Sequence, residues 1–174
     1  MTTECIGFDL DGVLYDWHGV VYQHLCIFHK LNIDYKTFWT EATNIYSDNF
    51  WNGIERIVTL YGKLPPSDSL LDTLNYLARK YNIIYVTSRP EEVEKSTRHY
   101  LERWSFPEYD QVFFYKDKTI PVRKSQCSYF VEDKVDNILQ LENHTNVIIK
   151  SQPWNKQLEG FIRIFSIEEL KGLL

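Results

Sequence analysis

A short apolar run, Cys5-Ile6-Gly7-Phe8, ends in Asp9-Leu10-Asp11-Gly12, and no other stretch constrains the chain as tightly. A run of this length, closed by acids and a glycine, reads as a buried strand. Residues i and i+2 of an extended segment project to the same side, so Asp9 and Asp11 face one point where the strand runs out. Two carboxylates aimed at one point repel each other unless positive charge lies between them. Magnesium, a hard cation that prefers carboxylate, carbonyl and water oxygens, meets that need. Gly12 lets the chain turn sharply away.

Five later apolar runs, at residues 83–86, 111–115, 128–131, 146–149 and 162–165, read as further strands. Helical spacing separates most of them. Leu70, Leu71, Leu74, Leu77 and Ala78 recur at i, i+3 or i+4 within 67–80. A helix is expected over 91–104, opening just after Pro90, and another over 135–142. Ser166-Ile167-Glu168-Glu169 is a capping box that opens the final helix. Strands alternating with helices imply right-handed crossovers, hence an α/β, Rossmann-like three-layer core with a mostly parallel sheet.

Residues 16–64 break the alternation. They carry no strand pattern and read as helices near 18–30, 35–46 and 53–61. A small helical cap inserted after the first strand is therefore expected, with the core formed by 1–15 and 65–174. Leu64-Pro65-Pro66 marks the return to the core, because two prolines cannot continue a helix. A length of 174 residues suits one core plus such an insertion and is too short for two full domains.

Aromatic residues make up 16% of the chain, which calls for a stiff core or a stacking surface. Trp17, Phe38, Trp39, Phe50 and Trp51 fall in the cap, where they either fill its core or stack on a base. Phe50 and Trp51 are the candidates for substrate contact. A net charge of -5 argues against an extended nucleic-acid groove, which needs a basic stripe, and leaves room for a mononucleotide. Cys5, Cys26 and Cys127 are scattered, with no C-x-x-C, and are expected to be reduced thiols of a cytoplasmic protein. Met1-Thr2-Thr3-Glu4 is no secretory leader and no apolar run approaches 18 residues, so neither export nor membrane insertion is expected.

Ligands of open parallel sheets bind at the carboxyl ends of the strands. Those ends carry Asp9 and Asp11, then Thr87-Ser88-Arg89, then Glu132-Asp133, with Lys116, Lys118 and Lys124 shortly before the last pair. Carboxylates, hydroxyls and a lysine at neighbouring tips suit phosphoryl transfer, which is mostly positioning and charge stabilisation. The plainer alternatives are a strand end that caps a turn at Asp9-Asp11, a helix N-cap at Thr87-Ser88, and lysines that are solvated surface charges. Asp16 either orders the loop after the first strand or is a surface acid.

The segments FDLDGVLYD, IIYVTSRP, the lysine in YKDKT, and FVEDKVDN together resemble the four ordered motifs of haloacid-dehalogenase-type phosphatases. Within that superfamily the chain is most similar to the 5'(3')-deoxyribonucleotidases, through the D-x-D-G-V-L-x-D start, Asn49-Phe50-Trp51 and Asp117-Lys118-Thr119. The resemblance implies a magnesium-dependent phosphomonoesterase working through an aspartyl-phosphate on a small phosphorylated substrate, a nucleoside monophosphate. It makes Asp9 the nucleophile and Asp11 the acid and base. Magnesium is held by the side chains of Asp9 and Asp133 and the main-chain carbonyl of Asp11. Thr87 binds a phosphoryl oxygen and Lys118 offsets charge, with Lys124 the second choice. Glu132 lies behind the ligands, and Asp136 is a further acid within reach. Ser88 and Arg89 are expected to touch substrate, although the family has proline directly after the hydroxyl pair where this chain has Arg89. Other readings are a polynucleotide 3'-phosphatase, a phosphosugar phosphatase, or a non-catalytic phospho-ligand module.

Overall fold

The computed structural model describes residues 4–28, 30, 32–38 and 65–174, and the side chains of all of these except 24, 25, 27 and 28. A strand covered on both faces must be apolar at consecutive positions, and the central strands here are. Ile6, Phe8, Ile83, Tyr85, Val131 and Ile148 point into one core layer, while Cys5, Ile84, Val86, Phe130, Val147 and Ile149 point into the other. Strands β1 (Cys5–Phe8), β2 (Asn82–Thr87), β3 (Val112–Phe114), β4 (Cys127–Glu132), β5 (Asn146–Lys150) and β6 (Ile162–Ile164) form one sheet in the order β3-β2-β1-β4-β5-β6. Every pairing is parallel.

Helices cover both faces. After β1 comes α1 (Trp17–Phe28). Next is α2 (Asp68–Ala78), whose Leu70, Leu74 and Leu77 enter the first layer. A 3-10 turn (Glu91–Val93) leads into α3 (Glu94–Arg103), which adds Tyr100 and Leu101 to that layer. The opposite layer receives Val122 from α4 (Thr119–Lys124) and Ile138 and Leu141 from α5 (Val135–Leu141). The capping box at Ser166 forms as expected, opening a 3-10 turn (Ile167–Glu169) that passes into α6 (Leu170–Leu173).

The expected three-layer α/β core is thus present, with small shifts at its edges. The expected sixth strand loses its last residue, because Phe165 lies beyond Ile164 with 71% of its surface exposed. The expected helix over 91–104 starts as a tighter turn. Thr87-Ser88 caps no helix, since Pro90 holds the N-cap position of that turn. Of the cap expected over 16–64, α1 and a helical turn at 35–38 are described, and 39–64 lie outside the described residues. Phe38 is fully buried, with its ring 5.8 Å from that of Tyr22, as the core reading requires. Among the described residues no helix is long and apolar enough to cross a membrane. All three cysteines are free thiols, with Cys5 and Cys127 facing each other across β1 and β4.

Two glycines set how closely the site can assemble. A Cβ on Gly7 would run into the Phe130 ring on the neighbouring strand. Gly12 has φ +84, and a Cβ there would strike the Asp133 carboxylate. Gly12 therefore answers two demands at once, a left-handed turn and a close approach.

Candidate active site

The sheet order places the tips of β2, β1 and β4 side by side, and the acids and cations of these tips converge. Lys118 precedes α4, and its ammonium is buried between two carboxylates, donating to Asp9 Oδ1 at 2.5 Å and to Glu132 Oε2 at 2.7 Å. Glu132 has no solvent exposure and is fully occupied. Its Oε1 accepts from the main-chain N–H of Asp133 and of Lys134, both at 3.0 Å, and its Oε2 also accepts from Asn137 Nδ2 at 3.1 Å. Four donors saturate the roughly four lone-pair positions of a carboxylate. Glu132 anchors Lys118 and the turn that carries Asp133.

Charge in this cluster is unbalanced. Asp9, Glu132 and Asp133 offer ligand oxygens that all lie within 4.8 Å of one another, among the described residues. One ammonium faces three carboxylates. Burial pushes the Asp9 carboxyl up to about 7, with Lys118 pulling it down and Glu132 and Asp11 adding to the rise. Burial, then Glu132 and Asp9, hold Asp133 well above the usual carboxylate range. Burial pulls Lys118 down, but Asp9 and Glu132 more than reverse this and hold its proton tightly. An all-oxygen set with surplus buried negative charge fits a hard divalent cation, which removes the reason for those protons. Since Glu132 is saturated, the oxygens available to such an ion are those of Asp9 and Asp133 and nearby carbonyls.

Asp11 sits apart from that cluster, held by Arg89. The guanidinium donates from Nε to Oδ2 at 2.8 Å and from Nη2 to Oδ1 at 2.6 Å. Thr87 is buried at the end of β2, its hydroxyl accepting from the Arg89 N–H at 3.2 Å. Ser88 is exposed, with its hydroxyl 3.4 Å from the Tyr115 carbonyl, too long for a strong bond. Lys116, Lys124 and Asp136 are exposed and outside the cluster. Asp16 caps the start of α1 by accepting from the Gly19 N–H at 3.1 Å. His18 packs its ring against Trp17 and Trp154, and burial pushes its imidazole down to about 4, so it is neutral at physiological pH. Phe50, Trp51 and Trp39 lie outside the described residues.

Sequence reasoning passed over a brace behind Asp133. Trp154 Nε1 and Asn155 Nδ2 donate to the Asp133 carbonyl at 3.1 and 2.8 Å, and Gln152 Nε2 donates to the Gly12 carbonyl at 2.8 Å. Arg163 on β6 in turn fixes Asn155, donating to its Oδ1 at 2.7 Å. The available signal was position: Gln152 lies two residues past the end of β5, and strand ends were the place to look.

The chain shares its fold with solved haloacid-dehalogenase-like hydrolases. A hydrolase of that family from Deinococcus radiodurans, solved with bound phosphate and sodium, superposes with a TM-score of 0.65 at 13% identity, over 98% of this chain and 94% of that one. In sequence the chain is similar to proteins that carry nucleotidase names. It is 26% identical over 184 residues to a provisionally named nucleotidase of Bacillus cereus, covering 97% of this chain and 96% of the relative. It is also 26% identical over 121 residues to another from Halalkalibacterium halodurans, covering 67% of this chain and 62% of that one. No family model matches the chain.

Proposed function

We propose that the protein is a magnesium-dependent phosphomonoesterase that releases phosphate from nucleoside monophosphates through an aspartyl-phosphate. The observation that carries this reading is the Lys118 bridge, which pins one oxygen of a buried aspartate beside a second, cation-seeking aspartate. The names of the two relatives support the nucleotide as substrate. Three free thiols suit a reducing compartment, and the cytoplasm is the proposed location.

Asp9 attacks phosphorus with Oδ2 while Lys118 holds Oδ1. The bond from phosphorus to the leaving oxygen breaks, and Asp11 passes its proton to that oxygen. In the second half Asp11 takes a proton from water, the water oxygen attacks phosphorus, and the Asp9–phosphorus bond breaks to free inorganic phosphate. The Thr87 hydroxyl donates to a phosphoryl oxygen, and the Lys118 ammonium offsets charge that builds on the transferring group. Asp9 and Asp133 side chains, with the Asp11 carbonyl, would hold magnesium, which screens the like charges of nucleophile and phosphate.

Phosphate release from nucleoside 5'- and 3'-monophosphates, phosphosugars and 3'-phosphorylated oligonucleotides tests the reading. Nucleoside monophosphates are expected to be turned over fastest, with activity vanishing in EDTA and returning with added magnesium. Activity indifferent to chelation would remove the metal from the scheme. Faster turnover of another class would move the substrate.

Phe50 and Trp51 are proposed to meet the nucleoside. Trp51→Ala is expected to raise KM for nucleotides about tenfold, the scale of one lost base–aromatic stack, with little change for an aryl phosphate. Equal changes for both would make Trp51 a packing residue of the cap.

A further inference from the structure

The geometry points to Arg89 as a positioning residue that aims the proton-transfer carboxylate of Asp11 and does not bind the phosphate, an inference that rests on the phosphatase reading above. The Arg89 side chain is 9% exposed, and all three of its guanidinium nitrogens are engaged. Nε and Nη2 form the two-pronged grip on Asp11, and Nη1 donates to Thr97 Oγ1 on α3 at 2.9 Å. Its central carbon lies over the Tyr15 ring, 4.9 Å from the centroid, and that ring packs against Tyr100 of α3 at 4.7 Å. The cation is thus held from below by a ring, from the side by a buried hydroxyl, and faces the carboxylate with its fork.

A free aspartate turns about two torsions, and a proton donor that points the wrong way does no chemistry. A rigid planar fork fixes the plane of the carboxyl group as well as its place. Each carboxyl oxygen keeps a second lone pair, so the oxygen turned toward the leaving group can carry the proton while still accepting from the guanidinium. The Arg89 N–H also bonds the Thr87 hydroxyl. One short turn after β2 thereby sets both the proposed phosphate contact and the aim of the proton donor.

A donor that is misaimed matters only when the leaving group needs its proton. The test is kcat/KM for 4-nitrophenyl, phenyl and alkyl phosphates with Arg89→Met, Arg89→Lys and Arg89→Ala. For Arg89→Met the loss is expected to be within about threefold on 4-nitrophenyl phosphate and about 10²-fold or more on phenyl and alkyl phosphates, the range of general acid catalysis. Arg89→Lys keeps the charge without the fork and is expected to show the same trend less steeply. Free guanidinium is expected to restore Arg89→Ala selectively on the poor leaving groups, which also shows that this variant is folded. The inhibition constant for inorganic phosphate is expected to stay within about twofold in all three, the scatter of residues that do not touch the ligand. A loss equal across leaving groups, or phosphate inhibition weakened tenfold, would overturn the positioning role and leave the phosphatase reading intact. A native protein inert to every one of these esters overturns both.

Discussion

Asp9→Asn is expected to lower turnover of 4-nitrophenyl phosphate by about 10⁴-fold or more, the scale seen when a covalent nucleophile is removed. The amide has the same shape but no charge and no nucleophilic oxygen. The fold should not suffer, and the charge balance says why. Three carboxylates share the Lys118 ammonium, so removing one leaves the cluster nearer to neutral while Lys118 keeps Glu132. In EDTA the folded protein holds the Asp9 carboxyl at about 7 against an ordinary 3.8. Between those values the folded state keeps a proton that the unfolded chain has shed. The Asp9 contribution to the stability of the metal-free protein is then fully present below about pH 4 and is lost as pH rises to about 7, with Asp133 acting in the same direction. The asparagine variant lacks the Asp9 share of that decline. At pH 8 in EDTA it should melt at or above the native protein. Activity within tenfold of native would end the nucleophile assignment.

Lys118→Met should do the opposite to stability. It strips the counter-charge from three buried carboxylates, and breaking a buried ion pair from one side costs about 3–5 kcal/mol. In a chain of this length that corresponds to a fall in Tm on the order of 10 °C. Magnesium should recover part of it, since an added cation supplies what the ammonium did. Turnover should fall by about 10²–10³-fold with magnesium present, the usual effect of losing one charge-stabilising group. Lys124→Met, at an exposed position on the last turn of α4, is the comparison and should leave both properties unchanged. If the two variants behave alike, Lys118 is not the lysine that matters.

The sheet was readable because its strands are buried on both faces and bounded by turn residues, so each appears as an unbroken apolar run. Period-two alternation set Asp9 and Asp11 at the tip of the first strand, but that Asp9 joins Lys118 while Asp11 turns to Arg89 depends on tertiary contacts. The jobs of Glu132 and Asp133 were harder to separate. Two neighbouring acids look equivalent in a sequence, and only the four donors around Glu132 distinguish the anchor from the free carboxylate. Arg89 was read as a substrate contact because a guanidinium at a strand tip suits phosphate. Its partner, Asp11, is 78 residues away and could not be inferred from local pattern. The Gln152–Asn155 brace went unread for another reason. It acts on main-chain carbonyls, which every residue has, so no complementary side chain marks its target.

That brace gives the outermost strand an unusual influence. Arg163 lies on β6, a three-residue edge strand, and grips Asn155 through both its side chain and its main chain. Edge strands are where sheets breathe first. Each opening of β6 would remove the Arg163 grip on Asn155, one of the two side chains that hold the Asp133 carbonyl. Part of what steadies the acid cluster is thus lent by a strand that contributes no atom to it.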